Sequence, residues 1–245
     1  MTLVQHASSL DPAENLAFLD GLEGRAQESD VLVLPEASSR DFGQPGSDLR
    51  PYAEATDGPY AQRLRALGQQ ALVVAGMFEA TDDLPFNTLI AAGPGVDASY
   101  RKIHLYDSFG FKESTTIAAG PVEPAVIEYA GARIGLMTCY DLRFPELARE
   151  LAADVIVLPA AWVAGPRKVE HWRTLVQARA IENVAFVVAV GQPGPRYTGH
   201  SMVVAPTGDV LAEAGEGEET VEVTIDLAQV APARETNPSL ANRRM

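Results

Sequence analysis

The sequence predicts an α/β protein, a four-layer α-β-β-α sandwich made of two similar halves. Three features of the 245 residues predict it. Short apolar runs ended by proline or glycine alternate with segments of helical spacing, the pattern of βαβ units whose strands are buried on both faces. The eight residues Asp30-Val-Leu-Val-Leu-Pro-Glu-Ala37 return as Asp154-Val-Ile-Val-Leu-Pro-Ala-Ala161 with six identities, each time after a helix. In each half a hairpin signal then follows, which lengthens the sheet. Two such sheets can bury face against face, with their helices outside.

In chain order, Leu3–Ala7 reads as a strand, and Asp11-Pro12 as an N-cap with proline at the first helical position. Leu16, Leu19, Leu22 and Ala26 keep helical spacing behind it. Val31–Leu34 is an apolar strand stopped by Pro35, with Glu36 just beyond. A helix over 59–70 precedes a strand over 71–75. Thr88–Ala92 and Ser99–Lys102 then flank the turn Gly93-Pro-Gly95. From Arg133 the order restarts: strand Ile134–Thr138, helix Pro145–Ala153, strand Val155–Leu158, helix Glu170–Asn183 and strand Ala185–Val190. A hairpin of Ser201–Ala205 and Val210–Ala214 closes the second half around Pro206-Thr-Gly-Asp209. The tail, 231–245, has no period and reads as a loop or C-terminal arm on a single domain spanning 1–245.

Composition narrows the function. Nineteen basic against 33 acidic residues give a formal net charge of −14, which repels phosphate backbones and anionic lipid surfaces, so neither nucleic acid nor membrane is an expected partner. The longest apolar stretches fall far short of the roughly 20 residues that cross a bilayer. The N-terminus shows no basic region before an apolar run, and a cytoplasmic location is expected. The one cysteine, Cys139, cannot form an intramolecular disulfide. No histidine pair has ligand spacing, so neither a metal nor another cofactor is expected.

Three strand ends carry reactive side chains. Cys139 lies in a strand-to-helix turn at the carboxyl end of a strand, where α/β sites form and backbone N–H groups face developing negative charge. Free cysteine is also a common core residue, so position is what singles it out. Glu36 ends a strand whose counterpart in the other half ends in Ala160, an asymmetry that suggests function. Lys102 closes the first hairpin. A thiol, a carboxylate and an ammonium suffice for nucleophilic hydrolysis of an amide.

Leu34-Pro-Glu36, Tyr100-Arg-Lys-Ile-His-Leu105 and Thr138-Cys-Tyr-Asp-Leu-Arg-Phe-Pro-Glu146 occur in the order of the three signatures of the nitrilase (carbon–nitrogen hydrolase) superfamily, which the chain therefore resembles. Gln177-Ala-Arg-Ala-Ile-Glu-Asn183 and Gly199-His-Ser201 extend the resemblance over nearly the whole chain. It implies a Glu36–Lys102–Cys139 triad on a nitrilase-like sandwich. Glu113 resembles the family's second glutamate, which orients the lysine. The resemblance further implies a homodimer or larger homo-oligomer, and hydrolysis of a non-peptide carbon–nitrogen bond through a cysteine thioester with release of ammonia or an amine. The segment around Cys139 is similar to the amidase branch that includes ω-amidase and deaminated-glutathione amidase, whose small substrates carry carboxylates.

Tyr140, Arg143 and Trp162 are the candidate substrate contacts: Tyr140 supplies an oxyanion N–H, and a cation among Arg143, Arg167, Lys168 and Arg173 can clamp a carboxylate. Arg143 could instead pair with Glu146. Nitrilase or N-carbamoyl hydrolase activity on the same triad, a Cys–His hydrolase using His104, His171 or His200, and a binding module without turnover are the alternatives.

Overall fold

The computed structural model describes residues 1–244. Its strands form two six-stranded sheets. In the first half, β1 (Thr2–Gln5) leads through α1 (Pro12–Asp20) and α2 (Glu23–Glu28) to β2 (Val31–Val33). Then α3 (Pro59–Leu67) leads to β3 (Leu72–Glu79), β4 (Phe86–Gly93) and β5 (Val96–Arg101). The second half starts with β6 (Ala125–Tyr129) and β7 (Ala132–Leu136), followed by α4 (Pro145–Leu151), β8 (Val155–Ala160), α5 (Lys168–Asn183), β9 (Phe186–Gly191), β10 (Met202–Val204) and β11 (Val210–Glu213). Last come β12 (Glu219–Glu222) and α6 (Val230–Thr236).

The sheet orders are β12-β1-β2-β3-β4-β5 and β11-β10-β9-β8-β7-β6. In each, three consecutive parallel strands are extended by an antiparallel hairpin. The repeated octapeptide is β2 in one half and β8 in the other, at equivalent places. The halves are interlocked, because the edge strand beside β1 is β12 from the chain's end, antiparallel to it.

Alternation along β2 shows why its run is continuously apolar. Val31 and Val33 join the core between the sheets, with Leu3, Val74, Leu136 and Val157, while Leu32 and Leu34 face α1–α3 beside Leu19, Leu64 and Leu67. On the far side Leu147, Leu151, Trp172 and Val176 of α4 and α5 cover the second sheet. The layers are therefore helix, sheet, sheet, helix, as the sequence predicts.

Several elements differ from expectation. The apolar spacing from Leu16 to Ala26 does not make one helix: the chain breaks at Gly21, although Leu19, Leu22 and Ala26 all remain buried against the sheet. β3 runs four residues past the expected end at Ala75, because β4 pairs with it through Gly76↔Leu89 as far as Glu79↔Phe86. β6 and β12 are absent from the sequence reading. Both are edge strands with mostly half-exposed or exposed residues, so they lack a buried stripe. The tail is also not period-free throughout. Residues 230–236 form α6, with Pro232 in the first turn where its missing N–H costs nothing, and Arg234 bonds Asp154 and the Ala153 carbonyl at 2.8 and 2.7 Å. The last residue of the expected arm, Met245, lies outside the described residues.

Candidate active site

Glu36 lies where the chain leaves β2 and crosses β3. The Leu34 N–H donates to the Val74 carbonyl and the Gly76 N–H to the Pro35 carbonyl, so this extension stays sewn to β3. Gly76 permits that approach, since a Cβ there would lie 2.6 Å from the Ala37 nitrogen and 2.8 Å from the Glu36 Cα. Gly76→Ala is accordingly expected to push Glu36 out of place. If Glu36 serves the chemistry proposed below, the variant's kcat should fall by at least about 10²-fold, the usual cost of displacing a catalytic group by an ångström, as steady-state assay of the folded protein would show.

Lys102 follows β5, and its backbone N–H donates to the Asn87 carbonyl at 2.8 Å. Its Nζ donates to Glu36 Oε1 at 2.8 Å and to both oxygens of Glu113, at 3.1 and 2.9 Å. Lys102 is 2% and Glu36 1% exposed, so the cation is sandwiched between two carboxylates out of water. Further donors bind the same two carboxylates. Asn87 Nδ2 donates to Glu36 Oε1 at 2.7 Å and to Glu113 Oε1 at 3.3 Å, the Ala161 N–H donates to Glu36 Oε2 at 2.7 Å, and the Tyr106 N–H to Glu113 Oε2 at 2.6 Å. Gln192 Nε2 holds the Glu36 carbonyl at 2.9 Å.

Cys139 opens a 3-10 turn, Cys139–Arg143, at the end of β7. Its φ of 45° is in the left-handed region that β-carbon-bearing residues avoid, a strain typical of functional turns. The turn carries the sulfur into the cleft that Glu36 and Ala161 also line. Burial and the Glu36 charge push the thiol well above its ordinary pKa, and the Lys102 ammonium only partly opposes them. Burial alone would lower the Lys102 pKa, but Glu113 and Glu36 outweigh it and hold the ammonium well above the ordinary lysine value. Burial first, and the Glu36 charge second, favour the protonated sulfur at rest. Iodoacetamide should therefore alkylate Cys139 slowly at pH 7 and faster only as pH rises past the ordinary thiol range; pH-independent fast alkylation would contradict this.

These groups line a cleft walled by Phe42, Leu49, Phe111, Arg196 and Tyr197. A much smaller recess adjoins Cys139 between Tyr106, Tyr140, Trp162 and Lys168. Arg143 stands over it, its guanidinium carbon 4.9 Å from the Trp162 ring centre and 5.9 Å from that of Tyr140. It does not pair with Glu146; its polar neighbour is His171, at 3.5 Å. Lys168 Nζ makes no salt bridge among the described residues, donating to Tyr106 Oη at 2.8 Å and lying 4.2 Å from the Phe109 ring centre. Burial first, and the Arg143 charge second, lower its pKa.

The other cations point elsewhere: Arg173 pairs with Glu213, and Arg167 is an exposed left-handed residue before α5. His104 binds Asp141 and His200 binds Glu213, and no histidine lines either recess. The Cys–His arrangement considered from sequence is therefore not assembled. Sequence reasoning did not single out Asn87, Gly76, Tyr106 or Gln192. Asparagine inside an otherwise apolar strand is the one signal that could have marked Asn87.

The carbon-nitrogen hydrolase family model matches residues 2–235. The deaminated glutathione amidase of Escherichia coli O157:H7 is 36% identical over 241 residues, covering 94% of this chain and 92% of its own. Among solved structures, XC1258 of Xanthomonas campestris, a CN-hydrolase superfamily protein with an arsenic adduct in its active site, superimposes with a TM-score of 0.90 at 32% identity, over 100% of this chain and 96% of that one. A glutamate-to-glutamine variant of the amidase from Nesterenkonia sp. AN1, with the acetamide moiety of fluoroacetamide covalently added at its active-site cysteine, gives 0.81 at 28% identity, over 99% and 92%.

Proposed function

The chain belongs to the carbon-nitrogen hydrolase family, and from that premise we propose that Cys139, Glu36, Lys102 and Glu113 hydrolyse a small carboxylate-bearing amide through a thioester. The observation that carries this reading is the buried ammonium of Lys102 held by two carboxylates beside the chain's only thiol.

Sulfur attacks the amide carbon as its proton passes to Glu36. The negative charge thus moves from the Glu36 carboxylate to the new oxyanion, and Lys102, already bonded to Glu36, lies between the two positions. Lys102 and the backbone N–H of Tyr140 stabilise that oxyanion, by roughly 3–4 kcal/mol per donor. Glu36 returns the proton to nitrogen, the carbon–nitrogen bond breaks, and the amine leaves. Water, deprotonated by Glu36, then attacks the thioester, and its collapse releases the carboxylic acid and restores the thiol. Glu113 keeps Lys102 protonated and aimed.

Because nitrogen must face its proton donor, the leaving amine lies on the Glu36 side, in the wider cleft. The acyl chain is then directed toward Tyr140 and Trp162, beside which Lys168 and Arg143 are placed to meet its carboxylate. Two mutually repelling cations without an anion between them support that assignment. Lys168→Gln or Arg143→Met should raise KM for an anionic amide by about 10-fold or more and change it little for the neutral analogue, since a charge-assisted contact contributes about 1.5–3 kcal/mol. The lowered Lys168 pKa adds a direction: affinity for the anionic amide should fall, as pH rises, before an ordinary lysine would lose its proton. A panel of amides, nitriles and carbamoyl compounds, scored for ammonia or amine release, tests the whole reading. Equal rates on neutral and anionic amides would refute the clamp.

No helix among the described residues is long and apolar enough to cross a membrane. The reading also takes the enzyme as cytoplasmic, from the absence of a basic region and apolar run at the start of the sequence, and as a homodimer or larger homo-oligomer that needs no cofactor, from the family resemblance.

A further inference from the structure

Asp141 takes no part in the chemistry above, yet it is 0% exposed and its carboxylate has four donors or ring partners. Oδ2 accepts from the Tyr100 hydroxyl at 2.7 Å and from the Thr138 N–H at 2.9 Å. Oδ1 accepts from the His104 N–H at 3.1 Å and bonds His104 Nδ1 at 2.8 Å. Tyr100 and His104 are two residues before and two after Lys102. Thr138 immediately precedes Cys139, and the Asp141 N–H closes the nucleophile's turn by donating to the Thr138 carbonyl at 2.9 Å. One carboxylate therefore grips both flanks of the lysine and the turn that carries the sulfur, which come from different sheets.

The other end of the contact is also immobilised. The His104 ring stacks on Phe144, centroids 3.7 Å apart and planes 8° from parallel, and Phe144 ends the same turn. Burial, followed by the Asp141 charge, raises the Tyr100 pKa, so its hydroxyl stays a donor at neutral pH. Asp141 lines neither recess beside Cys139. Its reach to the reaction is through the register it imposes.

We propose that Asp141 is a positioning residue of the hydrolysis, locking the Lys102 segment to the Cys139 turn so that ammonium and sulfur meet the same carbonyl group. The inference rests on the reading of Cys139 and Lys102 given above. It predicts a loss in the chemical step with little loss in binding, because the substrate contacts lie on other side chains.

Asparagine at 141 offers one acceptor oxygen and one N–H2 group. Whichever way it turns, a backbone N–H, of Thr138 or of His104, faces a donor. Asp141→Asn should lower kcat about 10²-fold and Tyr100→Phe about 10-fold, with KM within about threefold of wild type and cooperative melting retained. A folded Asp141→Asn with kcat within twofold of wild type, or a fall in kcat matched by an equal rise in KM, would overturn the proposal. If Asp141→Asn does not fold, Tyr100→Phe decides, since it removes one hydroxyl and leaves the charge buried in its other bonds. The alkylation rate of Cys139 by iodoacetamide separates this proposal from the amidase reading, because it needs no substrate. A severalfold change in that rate in Tyr100→Phe supports the positioning role even if every amide fails, and an unchanged rate counts against it even if an amide is turned over.

Discussion

Cys139→Ala is expected to fold like the parent and to lose at least about 10⁴-fold in kcat/KM, the scale on which removal of a nucleophile acts in hydrolases. The substitution removes one sulfur atom from a residue that is 7% exposed, and leaves every backbone bond of the turn in place. Alanine inherits the φ of 45°, so the strain persists and stability should change little. Cys139→Gly makes the useful contrast. It adopts that φ without a Cβ clash, so it should melt no lower than the alanine variant while being equally inactive. A melting curve and a product assay on the two variants check both statements. Near-native turnover in either would remove Cys139 from the mechanism, whereas a mass increase on Cys139 alone during turnover, of the size of the acyl group, would show the thioester directly.

Lys102→Met should be the most damaging change in the molecule. Methionine matches the length of lysine but takes away the cation between Glu36 and Glu113, leaving two carboxylates in a buried space with the donors from Asn87, Ala161 and Tyr106. Breaking a buried pair by removing one partner costs about 3–5 kcal/mol in stability. The proposed oxyanion donor disappears as well, so kcat should fall by at least about 10³-fold. The raised pKa of Lys102 sets the pH window for the parent: its contribution is complete below the unfolded lysine value and is lost as pH climbs through the higher folded value, so it is intact at neutral pH. In the variant the stability deficit should shrink toward acid pH, where one carboxylate takes up a proton. Adding Glu113→Gln should recover much of the lost stability and none of the activity, since it removes the repulsion without restoring a cation. Chemical denaturation at two pH values, beside the kinetic assay, reads all of these outcomes. A double variant as unstable as Lys102→Met would show that packing rather than charge is the cause.

Much of the architecture could be read from period and punctuation. β2 and β8 are buried on both faces, and nothing but an uninterrupted apolar run satisfies that environment. Their proline-terminated repeats therefore announced both the strands and the duplication. The helices ahead of β2, β3 and β8 were placed by Asp11-Pro12, Pro59 and Pro145, which sit at observed helix starts. The failures fall where local pattern is silent. Gly76 looks like a strand terminator, but β3 continues through it because β4 supplies the pairing and Glu36 needs the space. β12 is half-exposed and acidic, and only the vacant edge of β1 makes a strand of it.

The site divides in the same way. Thiol, carboxylate and ammonium at three strand ends were visible as residue types at meaningful places, and the chemistry open to them followed from those types. How they are arranged was decided by tertiary pairing. The order β2-β3-β4-β5 within one sheet brings Glu36, Asn87 and Lys102 together with the Glu113 loop that follows, the second sheet packed on it adds Cys139 and the Ala161 N–H, and Lys168 is left near Arg143 with no ion pair among the described residues. Of the four basic candidates for a substrate clamp, spacing could not choose. Arg173 turned to Glu213 while Lys168 turned inward, because α5 presents one face to the cleft and another to β11. Burial and side-chain patterning are written residue by residue along the chain, whereas the distance between residues 36 and 102 depends on strand order within one sheet and that from either to residue 139 on the contacts between the two halves, which no local stretch encodes.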